Sequence, residues 1–385
     1  MSDCTETAPV ARRSMQRSCR ILPAFLAAFL LVPAATSHAC PLVIRTGAKQ
    51  SAQAMIGGYC RINGLQNNVA PPTGSQVRRR AFITNSDGDS VSIVDRDTYQ
   101  VLKTLPVGDY PHHMIVSLDG RYLYVGNTHS NTVSAIDLAT ENIAKTIPLL
   151  DPYNLFYSPD RGLLVTTATR LGRVEVHAVE DWTNLDNAKG WKRVAQIQTG
   201  KDPNHFAFSP DGHFMYVSNE YSHQLSVIDL LEHKLARQVD TGRRPVDMAL
   251  APGGKTLFVA IYGEGHVKAF DTESFNELER IATGAGAHGM AMSVDGKRLF
   301  VTNRDAATVS VIDVATRKLM QNFHVPTGPD MLEVTPDGKE LWVTGRYGKQ
   351  VYVIDLATYK ITQRIRTGAA PHGVVLIDLV NSPEK

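Results

Sequence analysis

The residues of this sequence best suited to chemistry are histidines and acidic residues that follow a recurring proline. Five of its 13 histidines stand in seven short turns that share this pattern, in which alanine replaces proline once. Imidazole and carboxylate groups that meet in one pocket can hold a transition metal, act as an acid–base pair or recognise a polar ligand. The seven turns are Pro111-His112-His113, Pro152-Tyr153-Asn154, Pro203-Asn204-His205, Pro245-Val246-Asp247, Ala287-His288-Gly289, Pro329-Asp330-Met331 and Pro371-His372-Gly373.

The turns recur because the chain is built from a repeat of about 42 residues. Each repeat contains four short runs rich in β-branched and aromatic residues, bounded by Gly, Asp or Asn, which is the pattern of strands joined by hairpins. In the clearest copy we predict strands at residues 289–294, 297–302, 308–312 and 318–325. An aspartate that ends the third strand, such as Asp313, is predicted to hold the hairpin by accepting hydrogen bonds from backbone N–H groups.

Four strands per repeat at this period predict a β-propeller, because a single sheet cannot bury both of its faces and the sheets must pack in a ring. Seven second strands can be counted. Seven first strands can also be counted, but they are shifted along the chain. The first blade lacks its own first strand, and the last first strand, at residues 373–378, has no strands after it. We therefore predict an all-β, seven-bladed β-propeller of four-stranded antiparallel blades, closed by the C-terminal strand, which completes the first blade.

Three stretches of the repeat carry a resemblance to a known family. They are YVGNTHSNTVSAID (residues 124–137), YVSNEYSHQLSVID (216–229) and FVTNRDAATVSVID (300–313). They resemble the YVTN-type β-propeller repeats of bacterial and archaeal surface and periplasmic proteins, over about residues 80–378. The resemblance implies the fold but no single activity. Its relatives include lactonase-like enzymes, quinoprotein dehydrogenase subunits, the haem domain of cytochrome-cd nitrite reductases and proteins of no known function.

In a propeller, the positions that follow the prolines surround one mouth of the central channel. The loops between second and third strands share this mouth, and Arg346 lies on one of them. Its guanidinium could clamp a carboxylate, although a loop arginine is more often simply solvated. Polar groups that bind only channel water are the alternative interpretation of the whole set. The candidate ligand-binding residues are His112, His113, Asn154, His205, Asp247, His288, Asp330, His372 and Arg346.

Residues 1–39 have the composition of a signal peptide. Four arginines precede an apolar run at residues 21–32 that is too short to span a bilayer comfortably, and Ser37 and Ala39 suit a signal-peptidase site before Cys40. We therefore expect a periplasmic or secreted protein with no transmembrane segment after cleavage. Lipidation of Cys40 is the alternative, and it is less favoured because Ser37 stands where a lipobox usually has leucine.

The rest of the chain divides into an N-terminal arm (40–79), the propeller (80–379) and a C-terminal tail (380–385). Once residues 1–39 are removed, two cysteines remain, and an oxidising compartment would allow a disulfide between Cys40 and Cys60. An unpaired Cys60 is the other outcome.

Composition excludes some functions. The formal charge of +2 belongs to residues 1–39, because removing their four basic and two acidic residues from totals of 40 and 38 leaves 36 of each. A balanced charge predicts no nucleic-acid partner. The sequence contains no CxxCH, CxxC, HExxH, GxSxG or glycine-rich phosphate loop, so covalently attached haem is excluded. A channel-bound metal or non-covalent haem remains open, although no specific motif indicates either.

Two main hypotheses follow. The first is an accessory module that binds a small ligand or a periplasmic protein at the channel mouth. The second is an enzyme or cofactor-handling protein, either a lactonase-like metal-dependent hydrolase or a haem binder. In it His112, His205, His288 and His372 would be ligands or bases. A third hypothesis is a surface interaction protein that uses an insertion with Trp182 and Trp191.

Overall fold

The computed structural model describes residues 42–46, 76–159, 162–179 and 191–381. Within them the chain forms seven antiparallel sheets, six with four strands and one with five. The predicted all-β, seven-bladed propeller is therefore confirmed. The expected signal peptide (1–39), Cys40, Cys60 and Trp182 lie outside the described residues.

The strands are numbered in chain order. Blade 1 contains β1 (Leu42–Thr46), β2 (Gln76–Asn85), β3 (Ser90–Asp95) and β4 (Val101–Pro106). Blade 2 contains β5 (Pro111–Val116), β6 (Tyr122–Asn127), β7 (Thr132–Asp137) and β8 (Asn142–Pro148), and blade 3 contains β9 (Asn154–Tyr157), β10 (Leu163–Ala168), β11 (Arg173–Val179) and β12 (Trp191–Gln198). Blade 4 contains β13 (Pro203–Phe208), β14 (Phe214–Asn219), β15 (Gln224–Asp229) and β16 (Lys234–Asp240).

Blade 5 contains β17 (Pro245–Leu250), β18 (Thr256–Ile261), β19 (His266–Asp271) and β20 (Glu277–Ala282). Blade 6 contains β21 (Ala287–Met292), β22 (Arg298–Asn303), β23 (Thr308–Asp313) and β24 (Lys318–His324), and blade 7 contains β25 (Pro329–Val334), β26 (Glu340–Gly345), β27 (Gln350–Asp355) and β28 (Lys360–Arg366). The last strand is β29 (Pro371–Asn381), and short 3-10 turns occur at Ser86–Gly88, Glu220–Ser222 and Tyr262–Glu264. In the described ranges no helix is long and apolar enough to cross a membrane.

The C-terminal strand closes the ring as predicted. Strand β29 lies between β1 and β2 in the sheet of blade 1, and Val375 pairs with Phe82 in an antiparallel register. A buried ion pair reinforces the closure, because Arg96 donates to Asp378 of β29 over 2.6 Å. Both ends of the described chain therefore contribute to one blade.

The hydrophobic core lies between neighbouring blades. Alternate residues of each strand face opposite sides of the sheet, so each blade presents an apolar face to the next. Phe300 of blade 6 and Leu332 of blade 7 belong to one such cluster of buried side chains. Trp342 of blade 7 is fully buried and stacks on Tyr99 of blade 1, with ring centroids 6.1 Å apart. This packing fixes the inner strands against one another.

The repeated aspartates have the predicted structural role. Asp95 Oδ1 accepts hydrogen bonds from the backbone N–H groups of Asp97 at 3.0 Å and Thr98 at 2.9 Å. The same arrangement holds other hairpins. It recurs at Asp137, Asp229, Asp271 and Asp355.

Three consecutive arginines of β2 form ion pairs. Arg78 and Arg80 both donate to Glu141 of blade 2 over 3.0 Å, and Arg79 donates to Asp97 over 2.8 Å. These three arginines therefore join strands and blades.

Trp191 packs inside the protein. It begins β12, is 5% exposed, and meets the ring of Tyr124 edge-on with centroids 5.1 Å apart. Trp191 therefore anchors its blade on blade 2, which leaves the surface-interaction hypothesis without this residue.

Candidate functional site

In six of the seven blades the inner strand enters the channel through a β-bulge, and blade 3 is the exception. In blade 2, Pro111 pairs with Asn127 and Met114 with Val125, so two residues of β5 oppose the single Gly126. A bulge of this kind bends the strand and re-aims its side chains. The same shift recurs between Pro203 and Phe206, Pro245 and Met248, Ala287 and Met290, Pro329 and Leu332, and opposite Ile83 and Asn85 in blade 1.

The bulge also corrects a predicted boundary. We placed the first strand of blade 6 at residues 289–294, but β21 spans Ala287–Met292. Ala287 pairs with Asn303 before the extra residues, so the strand begins at the turn itself. The two residues that follow the proline-type position thus belong to the strand and can both project toward the channel.

Hydroxyl groups of neighbouring blades hold the bulges in place. Thr84 donates to the carbonyl of His112 over 2.8 Å, and Thr344 donates to the carbonyl of His372 over 2.8 Å. Gly126 takes the equivalent position in blade 2, where a Cβ would lie 2.3 Å from the carbonyl of Pro152. The orientation of the mouth residues is therefore set by contacts between blades.

Five buried imidazoles form one contiguous group, which we call the histidine cluster: His112, His113, His205, His288 and His372. The ring centroids of His112 and His372 are 3.5 Å apart, and those of His113 and His372 are 5.0 Å apart. His205 lies 4.8 Å from His113 and 6.1 Å from His288. Five rings from four blades are thus brought into mutual contact.

Asp330 is the charged centre of this group. Its side chain is fully buried, and Oδ2 accepts from His372 Nδ1 at 2.8 Å, while His288 Nδ1 lies 3.2 Å from Oδ1. Arg304 donates to Oδ1, and Arg346 lies 3.4 Å from Oδ2. Burial alone would raise the pKa of Asp330, but Arg304 foremost, with His372 and His288, holds it well below the ordinary value. Asp330 is therefore a carboxylate.

Four imidazoles of the cluster, those of His112, His113, His288 and His372, are neutral at neutral pH. Burial, followed by the charges of neighbouring rings, lowers the pKa of His112 and His113 well below the ordinary value. Burial also lowers the pKa of His288 well below that value, and lowers the pKa of His372 to about 4 against the opposing effect of Asp330. Each neutral ring has one nitrogen that carries a lone pair.

Besides His288, two histidines of the cluster lie against carboxylates. Asp330 receives the Nδ1–H of His372, which leaves its Nε2 as the lone-pair nitrogen. Asp247 Oδ1 lies 3.1 Å from His205 Nδ1 and is itself fixed by the backbone N–H of Met248. Within the described part of the chain, His205 Nε2 is buried without a hydrogen-bond partner.

The other predicted residues divide by their contacts. Arg304 donates to His288 Nε2 over 2.7 Å, so this lone pair is already used. The Arg346 side chain is only 14% exposed and donates to Tyr110 over 2.8 Å, so it is not a solvated loop arginine. Asn154 is buried, but its Oδ1 accepts from the adjacent Leu155 N–H at 3.0 Å. His288 and Arg346 thus contact the charged Asp330, whereas Asn154 accepts a hydrogen bond within its own strand.

Sequence reasoning left Tyr153, Arg304, Tyr110 and Tyr262 out of the candidate set. The Tyr153 ring lies 4.0 Å from that of His112, and burial raises the pKa of its hydroxyl well above the ordinary value. Its turn position, equivalent to that of His112, was the available signal. Arg304 likewise occupies in blade 6 the position that Arg346 occupies in blade 7.

Three cluster members could hold a metal ion. One ring nitrogen from each of His112, His113 and His372 lies within 4.8 Å of the other two. Their neutral state suits lone-pair donation to a transition metal.

Asp202, in the turn that leads into β13, gives a pH-dependent prediction. Burial, with Glu220 and Asp151 next, raises the pKa of Asp202 from 3.8 to about 6. The folded state therefore binds more protons than the unfolded state between these values, and this contribution to stability is lost as pH rises through the window. We expect Asp202→Asn to increase the free energy of unfolding at pH 7.5 by about 1 kcal/mol, after discounting for partial exposure.

Asparagine tolerates the positive φ of 59° at this position. Urea unfolding at pH 7.5 and pH 4 provides the measurement, and the gain should disappear at the lower pH. The exposed Asp87→Asn is the matched control and should change neither curve. A gain for Asp202→Asn of equal size at both pH values would contradict the assignment.

Taken together, the fold and the site define a class: a seven-bladed β-propeller with a buried histidine cluster at its inner-strand entrances. The chain matches the YNCE-like beta-propeller family model over residues 53–382, and it belongs to that family. The uncharacterized protein YncE of Salmonella typhi is 33% identical over 70 residues. This match spans 17% of the chain and only 20% of that relative's length.

Solved structures share the fold at low identity. The Pseudomonas aeruginosa periplasmic gluconolactonase PpgL is 18% identical, with a TM-score of 0.65 over 78% of this chain and 99% of that one. The dihydro-haem d1 dehydrogenase NirN in complex with DHE is 15% identical, with a TM-score of 0.57 over 77% and 74% of the two chains. Propellers of lactonase and haem-related proteins are thus among its structural neighbours, and these similarities concern the fold.

Proposed function

We propose that this protein is an exported binding module that takes a small ligand into the histidine cluster. The observation that carries the proposal is the set of buried ring nitrogens without partners in the described residues, His112 Nδ1 and His205 Nε2. A buried polar atom without a hydrogen bond costs about 1–3 kcal/mol. A ligand that accepts or donates a hydrogen bond at these atoms would remove this cost, and binding of such a ligand is therefore favoured.

Protonation favours binding over acid–base catalysis. A general base works best when its pKa lies near the operating pH. Burial lowers the pKa of His372 to about 4, and the pKa values of His112 and His113 are also well below the ordinary value. Such imidazoles remove protons weakly at neutral pH but donate lone pairs well.

The ring contacts favour a small ligand. With His112 and His372 at 3.5 Å between centroids, and His113 and His205 at 4.8 Å, a tetrapyrrole would have to separate the rings. Catalysis or haem handling at the same residues is the second candidate, supported by the gluconolactonase and the dihydro-haem d1 dehydrogenase among the structural neighbours.

Export is part of the proposal. It rests on the arginines and the apolar run within residues 1–39 and on the Ser37 and Ala39 positions. A periplasmic gluconolactonase among the structural neighbours agrees with this location. Protein recovered from a periplasmic fraction should begin at Cys40, and its intact mass distinguishes a free from a lipidated cysteine. A full-length chain retained in the cytoplasm would refute export.

Thermal unfolding with three probes tests the binding function: Zn²⁺, gluconate and haemin. At about 100 times the dissociation constant, we expect one probe to raise the melting temperature by about 5 °C or more. His372→Ala should abolish that shift, whereas the exposed control His324→Ala should retain it. Binding that persists unchanged in His372→Ala, or no shift with any probe, would overturn the proposal.

A further inference from the structure

We infer that the histidine cluster binds a late first-row transition-metal ion, with His113 and His372 as central ligands and His112 and His205 completing the set. The inference rests on the proposed binding function and names its ligand class. It depends on three features: the spacing of the ring nitrogens, the carboxylates behind two of the rings, and the charge around the group.

The spacing matches shared coordination. Two nitrogens bound to one tetrahedral ion at about 2.0–2.1 Å lie about 3.3 Å apart, with their ring centroids about 5 Å apart. His113 Nε2 and His372 Nε2 are 3.5 Å apart, and their centroids are 5.0 Å apart. His113 also lies 5.0 Å from His112 and 4.8 Å from His205. His113 therefore has three neighbours at the separation that a common ion requires.

One pair does not match, and it identifies the ring that must move. The His112 and His372 centroids are only 3.5 Å apart, with a tilt of 40°. Both rings cannot point their lone pairs at one ion from this position. Since His112 Nδ1 is buried without a partner, rotation of the His112 ring breaks no hydrogen bond at that atom.

The carboxylates supply the support that metal-bound histidines usually have. A ligating histidine typically donates its second N–H to a carboxylate, which fixes the tautomer and raises ligand basicity. Asp330 does this for His372 at 2.8 Å, and Asp247 lies 3.1 Å from His205 Nδ1. In both rings the Nε2 is left for an ion. In His288, by contrast, Nε2 accepts from Arg304 and is not available.

Ligand chemistry and charge narrow the ion. Neutral imidazoles suit Zn²⁺, Cu²⁺, Ni²⁺ and Co²⁺, whereas Mg²⁺ and Ca²⁺ prefer oxygen. The two arginines beside the cluster would repel a cation, but Asp330 contacts both Arg304 and Arg346. Asp330 and Asp247 carry two negative charges, which balance the two guanidinium groups. The surroundings of the ion are therefore formally neutral.

Titration of untagged protein with Co²⁺, followed by competition with Zn²⁺, tests the inference. One equivalent of Co²⁺ should produce the intense visible absorption of a tetrahedral nitrogen site, and Zn²⁺ should remove it. His113→Ala should abolish the signal, and Asp247→Asn should lower Zn²⁺ affinity about 10–100-fold. His324→Ala, at an exposed strand end, should bind like wild type.

Two further variants keep the test decisive if His113→Ala folds poorly. His205→Ala and His372→Gln should each weaken Zn²⁺ binding while keeping wild-type circular dichroism and cooperative unfolding. Stoichiometric binding that survives in His372→Gln, or no binding by wild type, would overturn the metal assignment. If wild type ignores Zn²⁺ and Co²⁺ yet binds gluconate or haemin through His372, the metal inference fails and the proposed function stands. If no probe binds, both fail.

Discussion

Deleting β29 (Pro371–Asn381) is expected to abolish cooperative folding of the propeller. The strand contributes five buried aliphatic side chains to blade 1, namely Val374, Val375, Leu376, Ile377 and Leu379. At about 1.5–3 kcal/mol each, they account for about 8–15 kcal/mol, which equals the whole stability of a typical protein. Deletion would also expose the edge of β2 and leave Arg96 without Asp378. Circular dichroism and thermal unfolding provide the measurement.

A point variant calibrates this result. Leu376→Ala keeps the strand pairing with Ala81 but leaves a cavity at a fully buried position. We expect it to fold and to lose about 2–5 kcal/mol in urea unfolding. A deletion variant that melts cooperatively near the wild-type temperature would show that ring closure by β29 is dispensable.

Asp330→Ala should be among the most destabilising single substitutions in the chain. It leaves Arg304 and Arg346 without their shared carboxylate, and their side chains are only 17% and 14% exposed. Removing one partner of a buried ion pair costs about 3–5 kcal/mol, because the remaining charge stays desolvated. Chemical unfolding at pH 7 measures the difference, and Asp87→Ala, at an exposed aspartate, provides the control with little effect.

The pH dependence of this difference has a definite sign. The folded-state pKa of Asp330 lies well below 3.8, so its contribution is fully present above that value and is lost as pH falls through the folded pKa. The cost of Asp330→Ala should therefore be constant between pH 5 and pH 8 in this group's titration and shrink only in strong acid. A cost that already declines between pH 7 and pH 5 would mean that Asp330 does not hold its low pKa.

The repeat was sufficient to predict blade number and ring closure, because both follow from strand periodicity and from an inner strand missing at one end and left over at the other. The β-bulges at six of the strand entrances escaped prediction. Ala287 and Met290 keep apolar character on both sides of the extra residue, so the pattern of β21 does not reveal it. Only the pairing with Asn303 and Val301 shows that two residues oppose one.

The turn positions were sufficient to predict that the histidines meet at the channel, but not which groups each imidazole contacts. The turn sequences do not show which lone pair is used in His288 and His372, since both histidines follow a strand-entry residue, Ala287 or Pro371, and precede glycine. The difference arises from their side-chain neighbours: Arg304 of the same blade occupies His288 Nε2, whereas His372 Nε2 faces His113 of the next blade at 3.5 Å. Long-range hydrogen bonds of this kind depend on side-chain geometry that periodicity does not encode.

At the β-bulges of the strand entrances, the backbone maintains the fold and the side chains are available for recognition. Backbone pairing and the hydroxyl groups of Thr84 and Thr344 secure the bend through carbonyl oxygens, which every amino acid possesses. The side chains that follow the strand-entry residue differ between blades, as Val246 shows among the histidines. Natural or designed substitutions can thus change the residues that line the channel in one blade at a time, while the propeller keeps its fold.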